Sequence, residues 1–510
     1  MTDAPRQHRA PTPGSRPAPS PQAPAAIETE KVVGRVGPVL AVLVVSAFVM
    51  MLNETALSVA LPPIMADFAV TPAAGQWLTT GFMLTMAVVI PTTGFLIQRF
   101  TSRALFTAAL VLFVVGTALA VLAPSFAVVL LARVIQAAGT AIILPLLMTT
   151  TLTSVPVEKR GMVMGLNSVV ISMAPAVGPT LSGVVVDHFG WRALFGMMLP
   201  FGLVVLALGL VLIRTTNETI QARMDAGSVV LAALGFGGLV YALASLGAVL
   251  QGHLAPLAAL AVGVVALVLF VRRQLRLQRT DAALLDLRPF TVHNFRISVA
   301  VVVIAMATML GTVVVLPIYL QAGAGVGIAT TGLLLLPGGL IQGILSPVAG
   351  KIYDVAGPRP LVIPGTILMA GGQFWLSTVG ADTPLGLVVA MHLVFCTGMA
   401  LVMTPLMTVS LGSLPRHLYP HGSAIMNTLQ QLAGAAGTAV LVAALTIGAA
   451  AAAAGQAGEA QATVAGTEVA FVVGGCLGLV GVLCAPFVRR LRPDTAPVRE
   501  VVAEREAAQA

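Results

Sequence analysis

Charge is what this chain of 510 residues has least of. Asp, Glu, Lys and Arg together make up 9% of it, against roughly 25% in an ordinary soluble domain. So few charges exclude a soluble globule of this length. Aromatic residues amount to 5%, and there are three cysteines, Cys396, Cys476 and Cys484. All three lie in apolar stretches with no CxxC pair, so they read as small buried hydrophobes rather than a disulfide framework. No GxxxxGK[ST] phosphate loop occurs, which excludes ATP as the driver of any work done through this chain. No HExxH and no Cys/His cluster of metal-ligand spacing occurs either. The expectation is therefore no catalytic residue, no metal, no cofactor and no enzyme. A formal net charge of +8 would suggest nucleic acid as the partner of a soluble protein. Here the placement of the cations matters more than their sum, and no nucleic acid is expected.

What is present is apolar sequence, 57% of the chain. Residues 1–35 are Pro- and Ala-rich, with polar groups and no 7–15-residue apolar core, and read as a disordered tail rather than a signal peptide. Fourteen apolar runs of helix-spanning length follow, the first at about 38–61 and the last at about 469–488. A charged tail occupies 489–510. With the N-terminus in the cytoplasm, every one of the 27 Lys and Arg except Arg133 and Arg192 falls in the tails or the inside connections. This bias predicts 14 spans in the cytoplasmic membrane with both termini cytoplasmic. The Arg-rich connection 272–296, with LLDLRPF inside it, reads as an amphipathic helix on the inner membrane surface.

The chain also repeats itself. PTTGFLIQRFTSRAL from Pro91 matches PVAGKIYDVAGPRPL from Pro347, at an offset of 256. GTAIILPLLMTT from Gly139 is echoed by GMALVMTPLMTV from Gly398. A shift of eight helices is even, so the halves are parallel repeats, and such folds place substrate near the bilayer midplane between the halves. The resulting division is a tail over 1–35, a six-helix bundle over 36–215, two inserted helices with their linker over 216–296, a second six-helix bundle over 297–488, and a tail over 489–510.

Four stretches carry a resemblance. The loop Gly94-Phe-Leu-Ile-Gln-Arg99-Phe-Thr-Ser-Arg103 follows G-x-L-a-D-R-x-G-r-R, with Gln98 and Thr101 in place of Asp and Gly. Its second copy keeps Gly350, Asp354, Gly357 and Arg359. Helix 4 carries Arg133 and Gln136 ahead of Gly139. Helix 5 carries Gly178-Pro179-x-x-Ser182-Gly183, a ladder of small residues that lets helices approach, beside a proline that bends them. The opening stretch reads MLNETALSVALPP, with Asn53-Glu54-Thr55. Together these resemble the major facilitator superfamily over roughly 36–490. More closely, the chain is similar to the fourteen-span drug:proton antiporters of the EmrB/QacA type, and among them to lincomycin-resistance-like exporters. The resemblance implies an all-α membrane protein of the major facilitator fold, with two six-helix repeats and two inserted helices. It implies proton-driven export of amphipathic drugs or antibiotics by alternating access. The loops Gly94 to Arg103 and Gly350 to Arg359 would act as gates, and Gly178, Pro179 and Gly183 as the antiporter helix.

Glu54 stands alone among the 19 acidic residues in lying well inside an apolar run, where a charge costs several kcal/mol or so and needs a partner or a function. Arg133 lies at about the same depth, so the two are expected to handle the coupling proton. Asp225 and Asp354, at helix ends, are the reserves. Asn53, Gln136, Asn167, Gln342, Asn427 and Gln430 are candidates for the substrate cavity, and His392 is a further titratable group inside a span. The expected partners are an amphipathic small molecule, protons and the bilayer, with the chain acting as a monomer. Uptake of a metabolite, or a receptor that no longer transports, are the competing readings.

Overall fold

The computed structural model describes residues 25–213, 225–245, 254–280 and 282–490. Most of both tails lies outside that set. The described residues are helical, with no strand. Fourteen long helices follow in order: α1 (Ala25–Asp67), α2 (Trp77–Arg99), α3 (Ser102–Val121), α4 (Phe126–Ser154), α5 (Arg160–Phe189), α6 (Trp191–Leu212), α7 (Ala226–Ala244), α8 (Ala255–Leu277), α9 (His293–Ile318), α10 (Ile328–Ala356), α11 (Arg359–Leu376), α12 (Leu385–Gly412), α13 (Tyr419–Ala454) and α14 (Glu459–Cys484). Among the described residues, twelve of these helices contain a stretch long and apolar enough to cross a membrane, all but α5 and α11. α11 has only 18 residues. Each nevertheless packs among the others, α5 against α1 and α10, α11 against α12 and α14.

Helix ends follow local chemistry. Thr101 accepts the Ala104 N–H at 3.2 Å and starts α3. Asp225 does the same for Ser228 at 3.2 Å and starts α7. Both satisfy donors that a helix start leaves open. Gly357, at φ 81°, ends α10 in a conformation that side chains with a Cβ avoid.

Pairings within the first six helices recur within the last six. α1 packs on α5 and α9 on α13; α2 on α4 and α10 on α12; α3 on α4 and α11 on α12; α3 on α6 and α11 on α14. The glycines show the same correspondence. Gly139 of α4 lies against the Ala109 carbonyl of α3, and Gly398 of α12 against the Gly365 carbonyl of α11, where 109 and 365 differ by the same 256. The halves meet at two related seams, α5 on α10 and α2 on α13. α7 and α8 pair with each other, and α7 also rests on α2 and α13.

Two expectations are corrected. The tail does not extend to residue 35, because α1 is already helical from Ala25. Its first two turns, AAIETEKV, contain good helix formers and no proline. The connection after α8 is not a helix on the membrane surface. α8 runs on to Leu277, a 3₁₀ turn covers Gln278–Thr280, and residues 282–287 form an irregular strap. Leu284 and Leu285 of that strap are buried at 1% and 3% exposure, in the same apolar core as Phe95 and Phe295. Asp286 is buried too. It pairs with Arg288, and its backbone N–H donates to His421 Nδ1 at 3.3 Å. Gln274 secures the strap by accepting the Leu285 N–H at 3.2 Å while donating to Ser228 at 2.7 Å. The amphipathic pattern was real, but the protein's own core covers its apolar side.

Candidate functional site

The first polar cluster lies between α1, α3 and α4. Gln136 is its hub. Its Oε1 accepts Asn53 Nδ2 at 3.2 Å and Arg133 Nη1 at 3.0 Å, and its Nε2 donates to Thr117 Oγ1 at 3.0 Å. All four residues are at most 1% exposed. The Arg133 guanidinium also stands 4.1 Å from the centre of the Phe82 ring, a favourable seat for a desolvated cation. Gly116 makes room for Gln136, since a Cβ there would overlap the amide side chain.

Glu54 is close by in sequence but does not join the cluster. No ion pair links it to Arg133 among the described residues, and its Oε2 is buried without a hydrogen-bond partner. Helical geometry accounts for this. Asn53 takes the direction facing α4, and the next residue points about 100° away. Thr55, a further 100° round, donates to the Ala174 carbonyl of α5 at 3.0 Å. Val45, nine residues before Glu54 and so on the opposite side of α1, is 47% exposed. Leu43, Ala47 and Met50, on the Glu54 side, are buried. Glu54 therefore projects inward.

The second polar feature lies at the Arg-rich end, where the halves meet. Asp354 of α10 accepts the Gly161 N–H at 2.7 Å and the Met162 N–H at 3.0 Å. It places a carboxylate on the positive start of α5. Gly161 and Gly350 face each other so closely that a Cβ on either would overlap the other's backbone, and Gly165 meets the Ser346 carbonyl in the same way. On the sister seam Gly94 lies against His421, and Gln98 Nε2 donates to the His417 carbonyl at 3.1 Å. Gln98 and Asp354 thus occupy related places, one neutral and the other charged. Arg103 donates to the Leu210 carbonyl at 2.9 Å and Arg359 to the Val488 carbonyl at 2.9 Å, each closing its own half. Gly357 lies against Arg490. Arg99 is exposed.

Arg160 was not singled out by sequence reasoning. It is buried at 8% exposure, holds the Leu152 and Val155 carbonyls at the end of α4, and donates to Tyr419 Oη of the other half at 3.2 Å. A cation at the first position of a helix looked like an ordinary inside-loop residue. Thr117 and Phe82 were missed as well, because Thr and Phe are unremarkable inside an apolar run.

The remaining candidates do not form one site. Asn167 donates to Thr151 at 3.0 Å within the first half. Asn427 donates to the Ser423 carbonyl at 2.8 Å and to the Met148 sulfur at 3.7 Å, which joins α13 to α4. Gln430 reaches the Met407 sulfur at 3.3 Å. Gln342 is buried in α10, where its carbonyl receives Ser346. His392 stands six residues before Gly398, as Arg133 stands six before Gly139. It touches Cys396 Sγ at 3.4 Å, and its Nδ1 is buried without a partner. In α5, Gly178 is pressed against Thr55 of α1, whereas nothing lies within 4 Å of a Cβ at Gly183. Among the described residues, close packing against another helix is seen at Gly178 and not at Gly183. Pro179 is helical in backbone, and its side chain lies outside the described residues. Asp225, held as a reserve proton carrier, has a structural partner. Hydrogen bonds from Arg273 at 2.7 and 2.8 Å, with Ser228 adding to them, hold its carboxyl below the usual carboxylate range. Asp67, at the opposite end of the bundle, is likewise lowered by Arg192 and Trp191.

Comparison with known proteins agrees with this architecture. The sequence model of the Major Facilitator Superfamily matches residues 43–438. The uncharacterized MFS-type transporter YcnB of Bacillus subtilis (strain 168) is 42% identical over 445 residues, covering 87% of this chain and 93% of that one. The lincomycin resistance protein LmrB of the same organism is 39% identical over 475 residues, covering 90% and 97%. The crystal structure of the human organic anion transporter MFSD10 (TETRAN) aligns with a TM-score of 0.64 at 14% identity, over 88% of this chain and 99% of that one, a likeness of fold. The repeated helix pairings, the two related seams and these relatives together establish that the chain is a multi-pass membrane transporter, not an enzyme, and belongs to the major facilitator superfamily.

Proposed function

We propose that the chain is a proton-coupled antiporter that exports amphipathic drugs or antibiotics across the cytoplasmic membrane, with both termini inside. The observation that carries this reading is Glu54, an inward-facing carboxyl in a spanning helix with an unpartnered buried oxygen. A charge there is costly, and protonation removes it. Arg133 remains a fixed cation nearby, held by Gln136 and seated on the Phe82 ring. The carboxyl is thus free to take up and release a proton as the cavity turns from one side to the other. Drug and proton compete for one state of the cavity while the halves rock about it. One proton moving down about 150 mV releases roughly 3.5 kcal/mol, enough for a gradient of a few hundredfold. The relatives' names support drug export as the direction, and the 21 methionines suit an adaptable apolar pocket.

The test is drug-induced proton movement in inverted vesicles at matched expression. Glu54→Gln should bind substrate and lose coupling, and Glu54→Asp should retain part of it. Wild-type coupling in Glu54→Gln would overturn the assignment. A reporter fused after Arg296 should report the cytoplasmic side, and an outside signal would overturn the orientation.

A further inference from the structure

A groove of about 400 Å³ opens where α7 and α8 approach their Arg-rich ends, lined by Leu231, Leu269, Arg272, Arg273, Arg276 and Leu277. We propose that it binds the headgroup phosphate of an anionic phospholipid, with the acyl chains lying along α8.

Three observations point to a lipid. Arg273 is already neutralised by Asp225. Arg272 and Arg276, one helical turn apart on α8, are exposed and meet no acid among the described residues. Two uncompensated guanidinium groups on one face suit a phosphate, which Arg binds through paired N–H donors. The second observation is depth. Leu269 is three residues from Arg272, so charge and apolar wall adjoin within about 5 Å along the helix, as they do at the headgroup–acyl boundary of a bilayer. The third is the surrounding surface. Only 22% of the α8 span is buried, less than in any other of the twelve spans. Val265, Val268 and Leu269 are 59%, 48% and 47% exposed, which leaves a lipid-facing wall beside the groove. Basic pockets between helices on the cytoplasmic side are known seats for anionic headgroups.

The experiment uses the full chain in detergent, titrated with phosphatidylglycerol, phosphatidylcholine or inorganic phosphate, with retained lipids counted by native mass spectrometry. Phosphatidylglycerol should be retained and phosphatidylcholine should not. The Arg272→Ala/Arg276→Ala double variant should hold one phosphatidylglycerol fewer, with affinity at that site down about thirtyfold, at roughly fivefold per surface arginine. Arg272→Lys/Arg276→Lys keeps the charge but not the paired donors and should bind that lipid more tightly than the alanine variant, which separates loss of binding from loss of fold. Equal retention of both lipids, or an unchanged count in the alanine variant, would overturn the proposal. So would displacement of the lipid by millimolar inorganic phosphate, which would mark a free-anion site. None of these readouts depends on transport.

Discussion

Asp354 and Gly161 lie on opposite halves of the molecule, joined by a hydrogen bond of 2.7 Å from the Gly161 N–H to the Asp354 carboxylate. The neighbouring Met162 N–H donates to the other carboxylate oxygen. A carboxylate on the first turn of a helix satisfies open donors and meets the positive end of the helix dipole. Because donor and acceptor belong to different halves, the bond must break if the Arg-rich end opens by parting α5 from α10. It would then act as a latch on the closed state.

Asp354→Ala should weaken that state by about 1 kcal/mol, the usual cost of losing an N-terminal cap, or roughly fivefold in population. Spin labels on Val157→Cys and Val355→Cys, with the three native cysteines replaced, should show a larger fraction of long distances. An unchanged distribution would mean that the glycine contacts at this seam hold the gate closed by themselves.

Gly178→Leu should abolish efflux, because the new side chain would overlap Thr55 and push α1 from α5. Gly183→Leu should leave efflux near wild type, since nothing lies within 4 Å of its Cβ. Drug susceptibility of cells expressing each variant at equal levels decides this, and equal loss in both would place an unseen partner against Gly183.

Gln136→Leu should be the most destabilising polar-to-apolar change inside the spans. It removes three buried hydrogen bonds at once and orphans the Asn53 amide and an Arg133 guanidinium nitrogen, at a cost of about 3 kcal/mol or more. Asn167→Leu removes its bond to Thr151 and should cost about 1 kcal/mol. Thermal unfolding in detergent should rank them in that order.

Asp225→Asn should lower thermal stability at neutral pH, and the difference from wild type should shrink in acid. The folded carboxyl lies below its ordinary value of 3.8, chiefly through Arg273. Its contribution is therefore complete above that value and is lost as pH falls through the lower folded one. Melting curves at pH 7 and pH 3 test the sign. A gap that widened in acid would contradict it.

Much of this was readable along the chain because the bilayer imposes it. A helix that must span hydrocarbon declares itself by length and apolarity, and cations on one side of the membrane declare the connections. The offset of 256 between Pro91 and Pro347 reappears in space as two seams of the same kind. Glu54, Arg133 and Gln136 could be singled out as candidates because a polar group in such a setting is expensive wherever it points, and Asp354 because the loop motif repeats.

Direction was the part that only the tertiary structure decided. Matched depth allowed Glu54 to bond Arg133, but one residue's turn of the helix gives Asn53 to the hydrogen-bonded cluster and leaves Glu54 Oε2 without a hydrogen-bond partner. The same ambiguity separated Gly178 from Gly183 and hid Arg160, whose reach to Tyr419 crosses between halves. The strap after α8 could cover its leucines with lipid or with the protein's own core, and amphipathicity reads alike for both. Composition and period fix which residues must be buried or satisfied. Which neighbour satisfies them depends on azimuth and on contacts hundreds of residues apart, and these exist only once the helices have packed.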